Sequence, residues 1–189
     1  NLIPATAELP EYSIASRPEE IADIQINHLL ELGHRRLGYL HRLTPGRMHR
    51  SPLLRREAFY RVIAEKGLPH RREWVRYGGL TDEETSAIIR DMYQIPREAP
   101  TGLIIYDAQA NAVYRTLRDL GLEPGRDVSL VGTDNLDYAE KVDPPLTSAE
   151  VSRQGLAEMT AASLTVLLRG EPMSPRQWQP PQLHVRKST

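Results

Sequence analysis

The sequence predicts an α/β protein, a parallel sheet with helices on both faces, and three observations carry that prediction. Between about residues 36 and 134, short apolar runs alternate with stretches of helical periodicity. The runs begin near positions 37, 74, 102 and 128, a spacing of roughly one βαβ unit. The last is Val128-Ser-Leu-Val-Gly-Thr-Asp-Asn135, where apolar residues give way to a hydroxyl, a carboxylate and an amide. That is the layout of a buried parallel strand whose carboxyl end turns polar groups into a cleft.

Each element follows from local signals. Pro18 to Leu32 reads as a helix with Ile21, Ile24, Leu29 and Leu32 inward and Gly33 closing it. Leu37-Gly-Tyr-Leu40 is the first strand. Pro52 to Lys66 is a helix carrying Leu54, Ala58, Phe59, Val62 and Ile63 at helical spacing, and Gly67 ends it. Trp74 to Tyr77 is the second strand, with both aromatics expected in the core. Thr81 to Tyr93 is a helix that Thr81 caps and Glu84 completes as a capping box. Gly102 to Ile105 is the third strand, and Asp107 suits the N-cap of a helix that puts Ala110, Val113, Leu117 and Leu120 on one face before Gly121. Val128 to Val131 is the fourth strand. Beyond it, Ser148 to Arg169 reads as one long helix, and Gln179 to Val185 as a linker with a last short strand.

Composition narrows the function. The 189 residues suffice for one or two compact units, and 40% are hydrophobic. With 24 basic against 25 acidic residues the net charge is −1, which disfavours a self-contained nucleic-acid-binding domain. Cysteine is absent, so disulfides, thiolate zinc sites and cysteine nucleophiles are excluded. No run approaches the roughly 18 apolar residues of a membrane span, and no signal peptide opens the sequence. The expectation is a cytoplasmic protein without a membrane anchor.

Candidate chemistry lies at the strand ends, because open parallel sheets bind ligands there. Asp134 can accept two hydroxyl hydrogen bonds, as a sugar would offer, or it can serve as a turn residue bonded to its own backbone. Arg55, behind the first loop, offers a rigid fork of donors across the cleft, or is a solvated surface residue. The loop His41 to Arg50 holds arginines and histidines with no acid, so it either receives an anion or is simply solvated. Enzyme signatures are missing: there is no G-x-G-x-x-G, P-loop, G-x-S-x-G or H-E-x-x-H. His28 and His34 lie six residues apart and do not share a helix face as metal ligands would; His34 is expected as a dipole or hydrogen-bond partner. No catalytic residue, metal or cofactor is expected.

These residues also resemble the effector-binding domain of the Lac repressor family (LacI/GalR type), from about Tyr12 to the last residue. His28-Leu-Leu-Glu-Leu-Gly-His-Arg-Arg-Leu37 is similar to that family's helix and crossover. Arg55-Arg-Glu-Ala-Phe59 resembles its R-x-x-G-[FYW] segment with Ala58 for glycine, and Val128 to Asn135 resembles D-V-S-V-V-G-F-D-D. Pro144-Pro-Leu-Thr147 and His184-Val-Arg-Lys-Ser188 match two further landmarks.

The resemblance implies Rossmann-like parallel sheets in a periplasmic-binding-protein-like, two-subdomain architecture whose first subdomain is incomplete in these residues. Residues 1–35 would end the N-terminal subdomain, 36–143 form the C-terminal subdomain, 144–172 supply a return helix, and 173–189 the final crossover and strand. It also implies a ligand site of Ser51, Arg55, Leu80, Tyr106, Asp107 and Asp134. Leu80 sits where an aromatic often packs, Tyr106 where the family usually has Asn, Thr133 where it has an aromatic, and Asn135 where it has a second Asp. Those departures, with the basic loop, lean from a neutral sugar toward a sugar phosphate or sugar acid. The implied protein is a homodimeric transcriptional regulator, touching DNA only through an N-terminal helix-turn-helix domain not represented here. The alternative is a periplasmic-type sugar-binding protein of a transporter, and a Rossmann-type enzyme would need a catalytic constellation that the sequence lacks.

Overall fold

The computed structural model of the chain describes residues 13–42, 50–95 and 97–189. The predicted βα alternation is present. Strands β2 (Leu37–His41), β3 (Val75–Tyr77), β4 (Gly102–Ile104) and β5 (Ser129–Thr133) run parallel, interleaved with helices α2 (Arg50–Glu65), α3 (Asp82–Met92) and α4 (Ala110–Asp119). Two more strands extend the sheet: β6 (Thr147–Val151) pairs parallel with β5, and β8 (Pro181–His184) pairs antiparallel with β6. The order is β3-β2-β4-β5-β6-β8, so the chain leaves β3 and passes over β2 to reach β4. That reversal is where an open α/β sheet leaves a crevice at its carboxyl edge.

Two apolar layers seal the sheet. On one face Leu40, Leu103, Ile105 and Leu130 meet Ile89, Met92, Val113 and Leu117 of α3 and α4. On the other, Leu37, Tyr39, Ile104 and Val131 meet Phe59, Val62 and Ile63 of α2 and Ala22, Ile26 and Leu29 of helix α1 (Pro18–Glu31). Trp74 is buried as expected, and Tyr77 is half-buried. Pro18 starts α1, where its missing N–H costs nothing, and Pro52 lies in the first turn of α2 for the same reason.

Several local expectations change. The inward face of α1 is Ile21, Ala22, Gln25, Ile26 and Leu29, whereas Leu32 is half exposed, because a left-handed Gly33 ends the helix just beyond it. Residues 148–169 are not one helix: Thr147–Val151 is β6, and Ser152 caps α6 (Arg153–Leu168) by accepting from Gly155 N–H. Pairing with β5 and β8 on both edges decides this, a non-local term that helical periodicity does not contain. The capping box of α3 is offset by one residue: Thr81 Oγ1 accepts from Glu84 N–H at 3.2 Å, but the Glu84 carboxylate reaches back to Leu80 N–H at 2.8 Å.

A second, smaller layer pairs β1 (Ser13–Ala15) in parallel with β7 (Arg176–Trp178). The chain passes between the two sheets three times, at residues 16–17 into α1, at residue 152 into α6, and at residues 179–180 into β8. Residues 1–35 are expected to belong with the smaller sheet, yet α1 packs on the six-stranded sheet, since its buried stripe matches the groove beside α2.

His34 takes the structural role expected of it. Its two ring nitrogens lie 3.0 Å from Thr101 Oγ1 and 2.9 Å from Ser129 Oγ, joining the starts of β4 and β5. Partial burial, with His28 nearby, holds its pKa below the usual histidine value.

Candidate functional site

The carboxyl ends of β2, β4 and β5 and the first turns of α2 converge on one wall. Arg42 follows β2 and donates through Nη2 to Leu80 O at 3.0 Å, tying the first strand's exit to the loop after β3. That loop is itself held from β4's side, where Gln109 Nε2 donates to Gly78 O at 3.1 Å and Gly79 O at 3.3 Å. Gly79 has φ +71°, and a Cβ there would meet Thr85 Oγ1 and Gln109 Nε2 at 2.5 and 2.6 Å, so the turn requires glycine.

Arg55 and Asp134, 79 positions apart in the sequence, face each other. Arg55 is 8% exposed, so it is not the solvated surface residue that its neighbour Arg56 suggests. Its Nη2 lies 3.7 Å from Asp134 Oδ1. A tight guanidinium–carboxylate bond is nearer 2.7–2.9 Å, so the pair is held close without being closed. The Asp134 side chain is 40% exposed. A ligand hydroxyl between them could donate to the carboxylate and accept from the guanidinium.

Nearby, Tyr39 packs with tilted rings at 5.5 Å from Phe59 and 6.2 Å from Tyr77, and the Arg56 guanidinium lies 5.1 Å over the Tyr77 ring. Burial pushes the Tyr39 phenol up to about 12, with Arg55 and Arg56 opposing and Asp134 reinforcing, so it is neutral at physiological pH. Tyr106, at the end of β4, is half-buried, and its phenol is also raised, first by burial and then by the negative charges of Asp134 and Asp107.

Asp134 and Asn135 both have positive φ, 87° and 45°, a conformation that non-glycine residues adopt only when their surroundings hold them there. Asp107 is one such holder. It does not cap α4, as its position in the sequence suggests. Its carboxyl is fully buried, accepts from Leu136 N–H at 2.7 Å, and takes the Ser148 hydroxyl at 2.9 and 3.0 Å. Ser148 Oγ in turn accepts from Asn135 N–H at 3.1 Å. Gly132 leaves room for this, since a Cβ there would collide with the Asp107 carboxylate and approach Leu146 to 2.7 Å. Burial raises the Asp107 pKa to about 7, against the pull of its Leu136 and Ser148 hydrogen bonds.

Of the predicted site residues, the structure brings Arg55, Tyr106 and Asp134 to one wall and puts Leu80, half-buried, beside Arg42. It sets Asp107 beneath the loop instead of facing the cleft. The Ser51 side chain and loop residues 43–49 lie outside the described residues. Gln25, Gln109, Ser148 and Arg186 were not legible as site residues, because each acts on a segment remote in sequence. Among the described residues no group of three or more His, Cys, Asp or Glu could hold a metal ion. No described helix is long and apolar enough to cross a membrane.

Comparison with known proteins agrees with the fold. A periplasmic binding protein-like domain matches residues 26–189, and the chain belongs to that family. Its relatives narrow the class to the LacI-type effector-binding domain of transcriptional regulators. It is 25% identical over 178 residues, 93% of this chain, to an HTH-type transcriptional repressor PurR from Aliivibrio salmonicida. It is 30% identical over 141 residues, 72% of this chain and 39% of the relative, to a PurR repressor from Yersinia pestis. The chain spans about half the length (52%) of the first of these repressors. Among solved structures, a LacI-family transcriptional regulator from Rhizobium etli superposes with a TM-score of 0.80 at 30% identity, covering 97% of this chain and 66% of the other. The regulator CelR in complex with cellobiose shares the fold, with a TM-score of 0.77 at 24% identity over 97% of this chain and 56% of the other.

Proposed function

We propose that this domain binds a small, hydroxyl-rich effector at the carboxyl edge of the six-stranded sheet and so switches a transcriptional regulator. The observation that carries the reading is the Arg55–Asp134 pair, buried on the cation's side, half open on the carboxylate's, and spaced at 3.7 Å. A hydroxyl-bearing ligand satisfies both groups, whereas two like charges or an apolar wall would not invite one. Arg42 and Arg55 on the same wall favour an effector with an acidic group, a sugar phosphate or a sugar acid, over a neutral sugar.

In this reading the six-stranded sheet with α1–α4 is one subdomain, and β1, α6 and β7 belong to the other. Effector binding biases the equilibrium between open and closed arrangements of the two. A homodimer would transmit that bias to DNA through an N-terminal helix-turn-helix outside this chain, in the cytoplasm. No step of this scheme involves catalysis.

A thermal-shift screen of the full-length gene product tests the proposal, with glucose 6-phosphate, gluconate, cellobiose and free nucleobases as probes. Cellobiose is included because CelR is known in complex with it. A probe at 100 times its dissociation constant should add about 2.7 kcal/mol of stability. Asp134→Ala should abolish that gain; its unliganded melting temperature should fall modestly, because alanine is strained at φ 87° and Arg55 loses its facing carboxylate, so the gain is read against the variant's own unliganded protein. A folded Asp134→Ala protein that keeps the wild-type shift sinks this site.

A further inference from the structure

Besides Asp107, the end of β5 and the loop that presents Asp134 are held from three further directions. From α1, Gln25 Nε2 donates to Gly132 O at 2.6 Å and Thr133 Oγ1 at 2.9 Å. From β6, Ser148 accepts from Asn135 N–H. The third hold comes from the stretch after β8, where Arg186 Nη2 donates to Asn135 Oδ1 at 2.9 Å. The first two segments connect directly to β1 and α6, elements outside the six-stranded sheet, and the third follows β8, whose other end joins β7.

Arg186 is the most informative of them. Its side chain is only 15% exposed, and its guanidinium serves three acceptors: Leu146 O at 2.8 Å, Asn135 Oδ1, and Glu140 Oε1 at 3.0 Å. Its backbone N–H is fixed by Thr147 Oγ1 at 2.8 Å. The fork is therefore anchored by β6 on one side and α5 (Asp137–Lys141) on the other, and only its Asn135 bond reaches the ligand loop. Asn135 and Asp134 are consecutive left-handed residues, so anchoring the Asn135 side chain restrains the backbone from which the Asp134 carboxylate departs.

We infer that Arg186 is a positioning residue for the effector site: through Asn135 it aims Asp134 at the cleft, and it ties that aim to the stretch of chain that follows β8. Resting on the reading of Asp134 as an effector ligand, this adds the residue that regulates its geometry. A peg that merely fastened the C-terminal stretch to β6 would need the Leu146 bond and not the Asn135 bond.

The test uses the full-length protein and four variants: Arg186→Met, Arg186→Lys, Asn135→Ala and Glu140→Ala. Asn135→Ala cuts the loop end of the bond together with asparagine's tolerance of its φ of 45°, so its effect is read against Arg186→Lys, which alters the bond with the loop residues unchanged and keeps the question open to experiment should Arg186→Met fail to fold. The first readout is amide hydrogen exchange without ligand at Asn135 and Leu136, whose N–H groups are bonded to Ser148 and Asp107. Arg186→Met and Asn135→Ala should speed exchange at those two amides by about tenfold or more, the scale of losing one charge-assisted hydrogen bond, while β4 and β5 amides keep wild-type rates. Arg186→Lys should recover part of the protection, and Glu140→Ala should match wild type. Loop exchange that stays at wild-type rates, or that rises only in step with the core, overturns the inference. The second readout is affinity for whichever of glucose 6-phosphate, gluconate and cellobiose the wild type binds, which should weaken by about tenfold in Asn135→Ala. Equal affinity overturns Arg186's role in the site. Failure of all three probes on wild type counts against the effector reading alone, because the exchange readout still decides whether Arg186 positions the loop.

Discussion

The two ends of this molecule solve the same burial problem with opposite results. Around the six-stranded sheet, α1–α4 each lay an apolar stripe on a strand face, and Leu29, Leu40, Leu103, Ile104, Leu117 and Leu130 have essentially no exposure. α6 is as long as α2 and more apolar, yet its one buried residue is Ser163, and Leu164, Leu167 and Leu168 are exposed. The β1–β7 pair beside it is three residues long on each strand, too small to cover a helix. Apolar content alone does not make a core; a facing layer does.

Stability should follow that contrast. Leu103→Ala, in the sealed half, should cost about 2–5 kcal/mol in urea unfolding, the usual range for emptying a buried leucine site. A loss below about 1 kcal/mol would mean that the six-stranded half is no better packed than α6.

Asp107 sharpens the comparison within the sealed half, as a buried carboxyl beside the apolar layers. Its folded pKa, about 7, lies above its ordinary value, so the fold favours the protonated form. Its contribution to stability is full below about pH 4 and is lost as pH rises through about 7. Asp107→Asn cannot ionise, so the variant's stability relative to wild type should climb between pH 4.5 and 7.5. Parallel unfolding curves at the two pH values would show that the carboxyl is ionised throughout.

The smallest effect belongs to α6. Leu168→Ser, at a residue 79% exposed, should change unfolding stability by no more than about 0.5 kcal/mol. A loss of several times that would reveal a cover on this helix that the described residues do not supply.

The sequence by itself determined the elements whose signals are local. Periodicity set α2, α3 and α4, apolar runs set β2 to β5, and the polar ending of β5 marked the cleft edge. Those signals suffice because a helix stripe or a strand end is written within a dozen neighbouring residues. Tertiary structure decided the rest. Thr147–Val151 became a strand because β5 and β8 flank it. Asp107 left its capping position because Leu136 and Ser148, 29 and 41 residues away, offered it donors. Arg186 reached Asn135 across 51 residues. Such bonds depend on which segments the sheet order brings side by side, a non-local outcome that no window of sequence encodes.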